Sequence, residues 1–122
     1  MCIFCDKIKW DNILFETPKR ISFFDEYPVS KGHTLLIPKE HFETYFDLSD
    51  EYIKSIDATI KQAKKILDEK FHPDGYNIGF NCGKTAGQSI MHFHIHVIPR
   101  YNGDVENPRG GIRGVIPNKQ NY

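Results

Sequence analysis

Apolar residues recur along this chain with two different periods, and the change of period marks out its elements. Ile13 to Phe15 and Ile21 to Asp25 are short β-prone runs, and Thr17-Pro18-Lys19-Arg20 between them predicts a hairpin. His33 to Ile37, closed by Pro38, predicts a third strand. The period then lengthens. Ile53, Ile56, Ile60, Ala63 and Leu67 follow in steps of three and four, one apolar stripe of a long amphipathic helix. Ser49 ahead of Asp50 and Glu51 is its start signal, and His72-Pro73-Asp74-Gly75 stops it near Phe71. Tyr76 to Asn81 and His92 to Pro99 return to the strand period. Five strand runs with one long helix between the third and fourth predict an α+β fold, an antiparallel sheet with the helix packed on one face.

The last strand run carries chemistry. In IMHFHIHVIPR, Ile90 to Arg100, three of the six histidines occupy alternate positions. An extended chain puts His92, His94 and His96 on one face and Phe93, Ile95 and Val97 on the other. One face is core and the other is imidazole, a pattern that points to a metal site, a proton relay or a nucleophile with helpers.

Size and charge narrow the classes. At 122 residues the chain has the length of one domain with one core, and 1–122 is read so. Residues 101–122, rich in Gly, Pro, Asn and Arg and without periodicity, are read as a tail that orders on contact rather than as a sixth element. Sixteen basic and sixteen acidic residues cancel, so no global field draws the chain to nucleic acid or to an anionic membrane. Any phosphate binding has to be local. With no long apolar run and no signal-peptide pattern, the expectation is a cytoplasmic protein with no membrane partner.

Three cysteines, an odd number, argue against a disulfide framework. The spacing of Cys2-x-x-Cys5 suits zinc sites and redox motifs, although a redox pair belongs between a strand and a helix start. Cys82 is read as a small buried thiol. Gly83-Lys84-Thr85 imitates the end of a phosphate-binding P-loop, but that motif needs a glycine where Ile78 stands. The segment remains a glycine-rich loop able to close over an anion.

Several separated motifs agree in order: Phe23-Phe24-Asp25, Gly32-His33-x-Leu35-x-Ile37-Pro38-Lys39-x-His41, Asn81-Cys82-Gly83, Gly87-Gln88-Ser89 and the three alternating histidines. Together they resemble the histidine triad family of nucleotide hydrolases and transferases. The resemblance implies a five-stranded antiparallel sheet with one long and one short helix, a homodimer, and a mononucleotide cleft along the histidine strand. It implies His94 as nucleophile toward an α-phosphorus, with Gln88, Ser89 and His96 as donors. Asp25 then corresponds to the ribose carboxylate, Phe4 and Phe23 to walls around the base, Asn81 and Gly87 to further nucleotide contacts, and His33 to a histidine behind the triad. Glu26 stands where many members have an aliphatic residue.

A subset of that family also carries an N-terminal Cys-x-x-Cys. By that resemblance Cys2, Cys5, His41 and His92 are the ligands of one structural zinc per chain, a closed set of two thiolates and two imidazoles. The function implied is a hydrolase that releases AMP from dinucleoside polyphosphates or adenylated conjugates through a nucleotidyl-histidine, with a purine nucleotide as ligand. Competing readings are a nucleotide-binding regulator with incidental phosphoramidase turnover, and a metalloenzyme whose triad holds a catalytic ion. Arg109 and Arg113, flanked by glycines, are expected to meet long polyphosphates.

Overall fold

The computed structural model describes residues 2–7 and 13–122. The predicted hairpin is present, as β1 (Ile13–Glu16) against β2 (Arg20–Phe24). Thr17 closes its turn twice: its amide donates to the Arg20 carbonyl at 2.8 Å, and its hydroxyl accepts from the Arg20 amide at 3.0 Å. The register slips between Ile13 and Phe15. Buried Ser22 fills that irregularity, accepting from the Phe15 amide at 3.0 Å and donating to the Phe15 carbonyl at 3.1 Å.

β3 (Thr34–Pro38), β4 (Gly75–Gly79) and β5 (Ile95–Arg100) complete an antiparallel sheet in the order β1-β2-β3-β5-β4. Every residue of central β3 is buried, because both of its faces are covered. Between β3 and β4 runs the long helix α2 (Asp50–Phe71), with the Ser49 hydroxyl accepting from the Tyr52 amide at 3.4 Å and His72 ending it in the left-handed region.

The stripe of α2 differs from the expected one. Its buried residues are Tyr52, Thr59, Ala63 and Leu67, whereas Ile53 is 38% exposed. Tyr52 and Thr59 bury their bodies because their hydroxyls are satisfied, donating to the Lys19 carbonyl at 3.3 Å and the Ser55 carbonyl at 3.1 Å. A count of aliphatic residues alone misses both. With Leu36, Ile95 and Val97 from the sheet and Phe93 just ahead of β5, this stripe forms the core on one face.

The opposite face carries a second core of Phe4, Ile21, Phe23, Leu35 and Ile37. Phe4 comes from a five-residue helix, α1 (Ile3–Lys7), which is the short helix expected. The rest of that face is an open cleft.

The histidine strand is shorter than expected, since β5 begins only at Ile95. His92 and His94 lie ahead of it, because the Phe93 amide donates to the Phe42 carbonyl at 2.6 Å instead of to a neighbouring strand. The alternation survives, with Phe93, Ile95 and Val97 in the helix-side core. β4 likewise stops at Gly79, short of Asn81. The tail, expected to hold no element, contains 3₁₀ turns over Gly111–Val115 and Pro117–Lys119, too short to show a period. Cys82 is half-buried rather than buried. Among the described residues no helix is long and apolar enough to cross a membrane.

Candidate active site and metal centre

The cleft has a volume of about 460 Å³. Phe4, Phe23, Leu35 and Ile90 give it apolar walls; Asp25, His33, His94 and His96 give it a polar one; Asn81, Gly87 and Ser89 line it from the glycine loop. Tyr27 and Val29, 85% and 71% exposed, also line it. Nothing in the sequence marked those two beyond their nearness to Asp25.

Backbone groups decide which ring nitrogen carries each proton. A carbonyl only accepts and an amide only donates, so each contact fixes a tautomer. His94 Nδ1 lies 2.8 Å from the His92 carbonyl and must carry the proton, which leaves a lone pair on Nε2. His92 Nε2 lies 2.8 Å from the Pro38 carbonyl, so its lone pair is on Nδ1. The Val29 amide donates to His33 Nδ1 at 3.1 Å, so neutral His33 is protonated at Nε2 and donates to His96 Nδ1 at 2.9 Å. His96 therefore keeps its proton on Nε2. Asp25 Oδ2 stands 3.5 Å from His33 Nε2, and Asp25 Oδ1 accepts from the Tyr27 amide at 2.8 Å.

Burial keeps these rings neutral. Desolvation pushes His96 down from the ordinary 6.5 to about 4, helped by the neighbouring His94 and His33 rings and opposed by Asp25. His94 is lowered by desolvation too, against the His92 carbonyl and Asp25, which favour its proton. His33 is lowered by burial and raised by Asp25. A neutral His94 at pH 7 is the form that has a lone pair to offer.

Gln88 does not line this cleft. Its Oε1 accepts from the Gly83 amide at 2.8 Å, and its Nε2 donates to the Glu43 and Ile90 carbonyls at 2.6 and 3.1 Å. The side chain pins the 83–90 loop, whose Gly83 and Gly87 take φ of +91° and +95°. Ser89 faces the cleft directly.

Among the described residues, two side-chain clusters are tight enough to hold an ion. Cys2, Cys5, His41 and His92 offer atoms that all lie within 4.8 Å of one another. His92 Nδ1 is 3.3 Å from Cys2 Sγ and 3.6 Å from Cys5 Sγ, and His41 Nδ1 is 3.4 Å from Cys5 Sγ. Tetrahedral zinc sets its ligands about 3.3–3.8 Å apart, so these residues fit it. The free lone pair of His92 is on the right nitrogen. The second cluster, Asp25, His33 and His96, also converges. An ion on His33 Nε2 would force that ring's proton onto Nδ1, against the Val29 amide. The hydrogen bonds run from the Val29 amide through His33 to His96, with Asp25 beside them as a charge.

The HIT domain family matches residues 7–103. The chain belongs to that family. The histidine triad resemblance and the fold expected from it hold, including the five antiparallel strands and two helices. A HIT family protein of Bacillus anthracis is 37% identical and superposes with a TM-score of 0.79, covering 84% of this chain and 75% of that one. A zinc-bound histidine triad family protein of Mycobacterium smegmatis is 34% identical with a TM-score of 0.79, covering 87% and 79%. The adenosine 5'-monophosphoramidase of Schizosaccharomyces pombe is 40% identical over 104 residues, 83% of this chain and 75% of its own. The HIT match begins after both N-terminal cysteines and ends before most of the tail.

Proposed function

We propose that this HIT protein is a nucleotidyl hydrolase that cleaves at the α-phosphorus of a purine nucleoside conjugate and releases the monophosphate. The observation that carries the reading is the His94 ring, locked with Nδ1–H on the His92 carbonyl at 2.8 Å while it lines the cleft, which leaves Nε2 as nucleophile. His94 Nε2 forms a bond to phosphorus as the bond to the leaving group breaks. The leaving group departs as a nucleoside polyphosphate anion, or as a neutral amine when the phosphoramidate nitrogen is already protonated, while the His96 Nε2–H, which the His33 contact reserves for it, donates a hydrogen bond to the departing atom. Water then displaces His94 from phosphorus and releases its proton to solvent, giving the monophosphate and the free ring. Asp25 accepts from the ribose hydroxyls, Phe4 and Phe23 flank the base, and Ser89 and loop amides near Asn81 and Gly87 serve the phosphoryl oxygens. Gln88 acts on them by holding the loop.

Two leaving groups suit this chemistry, an amine and a nucleoside polyphosphate. The adenosine 5'-monophosphoramidase of Schizosaccharomyces pombe, 40% identical, favours the amine. We read Cys2, Cys5, His41 and His92 as the residues that would hold one structural zinc; with four protein ligands it would tie α1 to the segments that carry His41 and His92 and would activate no water. A cytoplasmic homodimer accords with this reading, and β4, an edge strand with Ile78 39% exposed, suits pairing with a second copy.

The test is His94→Asn with adenosine 5'-phosphoramidate and diadenosine tetraphosphate. Turnover of both is expected to fall by at least about 1,000-fold while AMP still binds. Intact mass of acid-quenched wild type should show an added adenylyl group. Comparable turnover in the variant would remove His94 as nucleophile, and a stoichiometric adduct without turnover would favour the regulatory reading.

A further inference from the structure

Phe4 sits between the two cysteines in a helix of five residues, and a helix so short has no stability of its own. Its ring is only 3% exposed, edge-on to Phe23 at 5.6 Å and to His94 at 5.0 Å between centroids. With Ile3 it lines the nucleotide cleft. The sulfurs on either side of Phe4 tie its backbone to the histidine-bearing loops, Cys2 beside His92 and Cys5 beside His41 and His92. A thiol–imidazole hydrogen bond is weak compared with a zinc–thiolate or zinc–imidazole bond.

We propose that the metal centre is a positioning device for the base: closure of Cys2, Cys5, His41 and His92 round zinc fixes Phe4 as a stacking wall, so zinc occupancy and nucleotide affinity are coupled. The inference rests on the nucleotide reading above. Loss of one aromatic stacking partner weakens binding of a base by roughly tenfold or more. Thermodynamic linkage makes the coupling reciprocal, so a bound nucleotide tightens zinc by the same factor.

The experiment measures zinc affinity of the full chain by competition with a chromophoric chelator, with and without saturating AMP. Wild type is expected to hold zinc about tenfold tighter with AMP, and Phe4→Ala to stay within about twofold of its AMP-free value. A wild-type affinity indifferent to bound AMP overturns the proposal. Equal tightening in Phe4→Ala overturns it as well, because the coupling then runs through folding and not through the wall. If Phe4→Ala does not fold, Phe4→Leu keeps an apolar side chain without the ring; its coupling is expected to fall below about threefold, and full coupling there is the overturning result. Calorimetric titration of AMP into the zinc-loaded protein separates the two levels of the argument. No binding sinks the nucleotide reading beneath the proposal, whereas binding without coupling sinks the proposal alone.

Discussion

At the scale of single residues, the site depends on backbone groups that choose among histidine tautomers. The alternating histidines were visible in the sequence; the division of labour among them came from the resemblance and is a proposal. The protons were not visible, since the His92 and Pro38 carbonyls and the Val29 amide that place them have no side-chain signature. Burial adds a consequence for stability. His96 titrates near 6.5 when unfolded and is pushed to about 4 when folded, by desolvation first and by His94 and His33 next. Between those pH values the unfolded chain binds a proton that the folded one does not, so stability is complete above 6.5 and falls as pH drops toward 4. Urea unfolding at pH 7 and pH 5 should therefore show a larger loss in wild type than in His96→Gln, which cannot titrate. The same decline in both proteins would assign the acid sensitivity to other groups.

At the scale of elements, what was legible was what local spacing encodes. The hairpin, the Ser49 cap, the length of α2 and its stop at Phe71 all follow from residues close in sequence. Features set by distant partners were not legible: the Phe42 carbonyl takes the Phe93 amide and delays β5, and the Lys19 carbonyl accepts from Tyr52 and moves the buried stripe of α2. Gly32 joins these scales. It takes φ of +90° just before β3, and a Cβ there would meet the Phe71 ring at 2.8 Å and Pro99 at 3.2 Å. Gly32→Ala brings a strained backbone and a clash together, so denaturant melts should show a loss of roughly 2–3 kcal/mol. Because His33 is the next residue, the His33–His96 contact should loosen too, and turnover at 25 °C should drop more than the folded fraction does. Unchanged stability would mean that Phe71 yields without cost.

At the scale of the whole molecule, one face of the sheet is spent on a core with α2 and the other is shared by α1, the cleft and the tail. The chain brings together the separated motifs on which the family resemblance rested, and the cluster able to hold a metal gathers side chains from residue 2 to residue 92. Long-range assembly of that kind came from the resemblance, since spacing alone left Cys2 and Cys5 open to a redox reading. The tail was the least legible part, being built from single contacts without a repeat. Arg109 and Arg113 set their guanidiniums 4.9 and 4.6 Å from the centre of the Tyr122 ring, and Arg113 donates to the Lys119 carbonyl at 2.9 Å. Gly110, at φ of +93°, leaves 2.1 Å between a would-be Cβ and the Gln120 carbonyl, so the turn closes on itself only with glycine there. The expectation of two forked donors at a polyphosphate thus meets a different contact, stacking within the tail. Val29 lines both the histidine cleft and the cavity of about 270 Å³ under the tail, so the tail sits beside the cleft and not in its wall. For Arg109→Ala/Arg113→Ala, kcat/KM for diadenosine tetraphosphate and for adenosine 5'-phosphoramidate should change together, within about twofold of each other, at low and at high salt. A loss confined to the tetraphosphate, together with a wild-type rate on that substrate that falls as salt is added, would bring the guanidiniums to the phosphates instead.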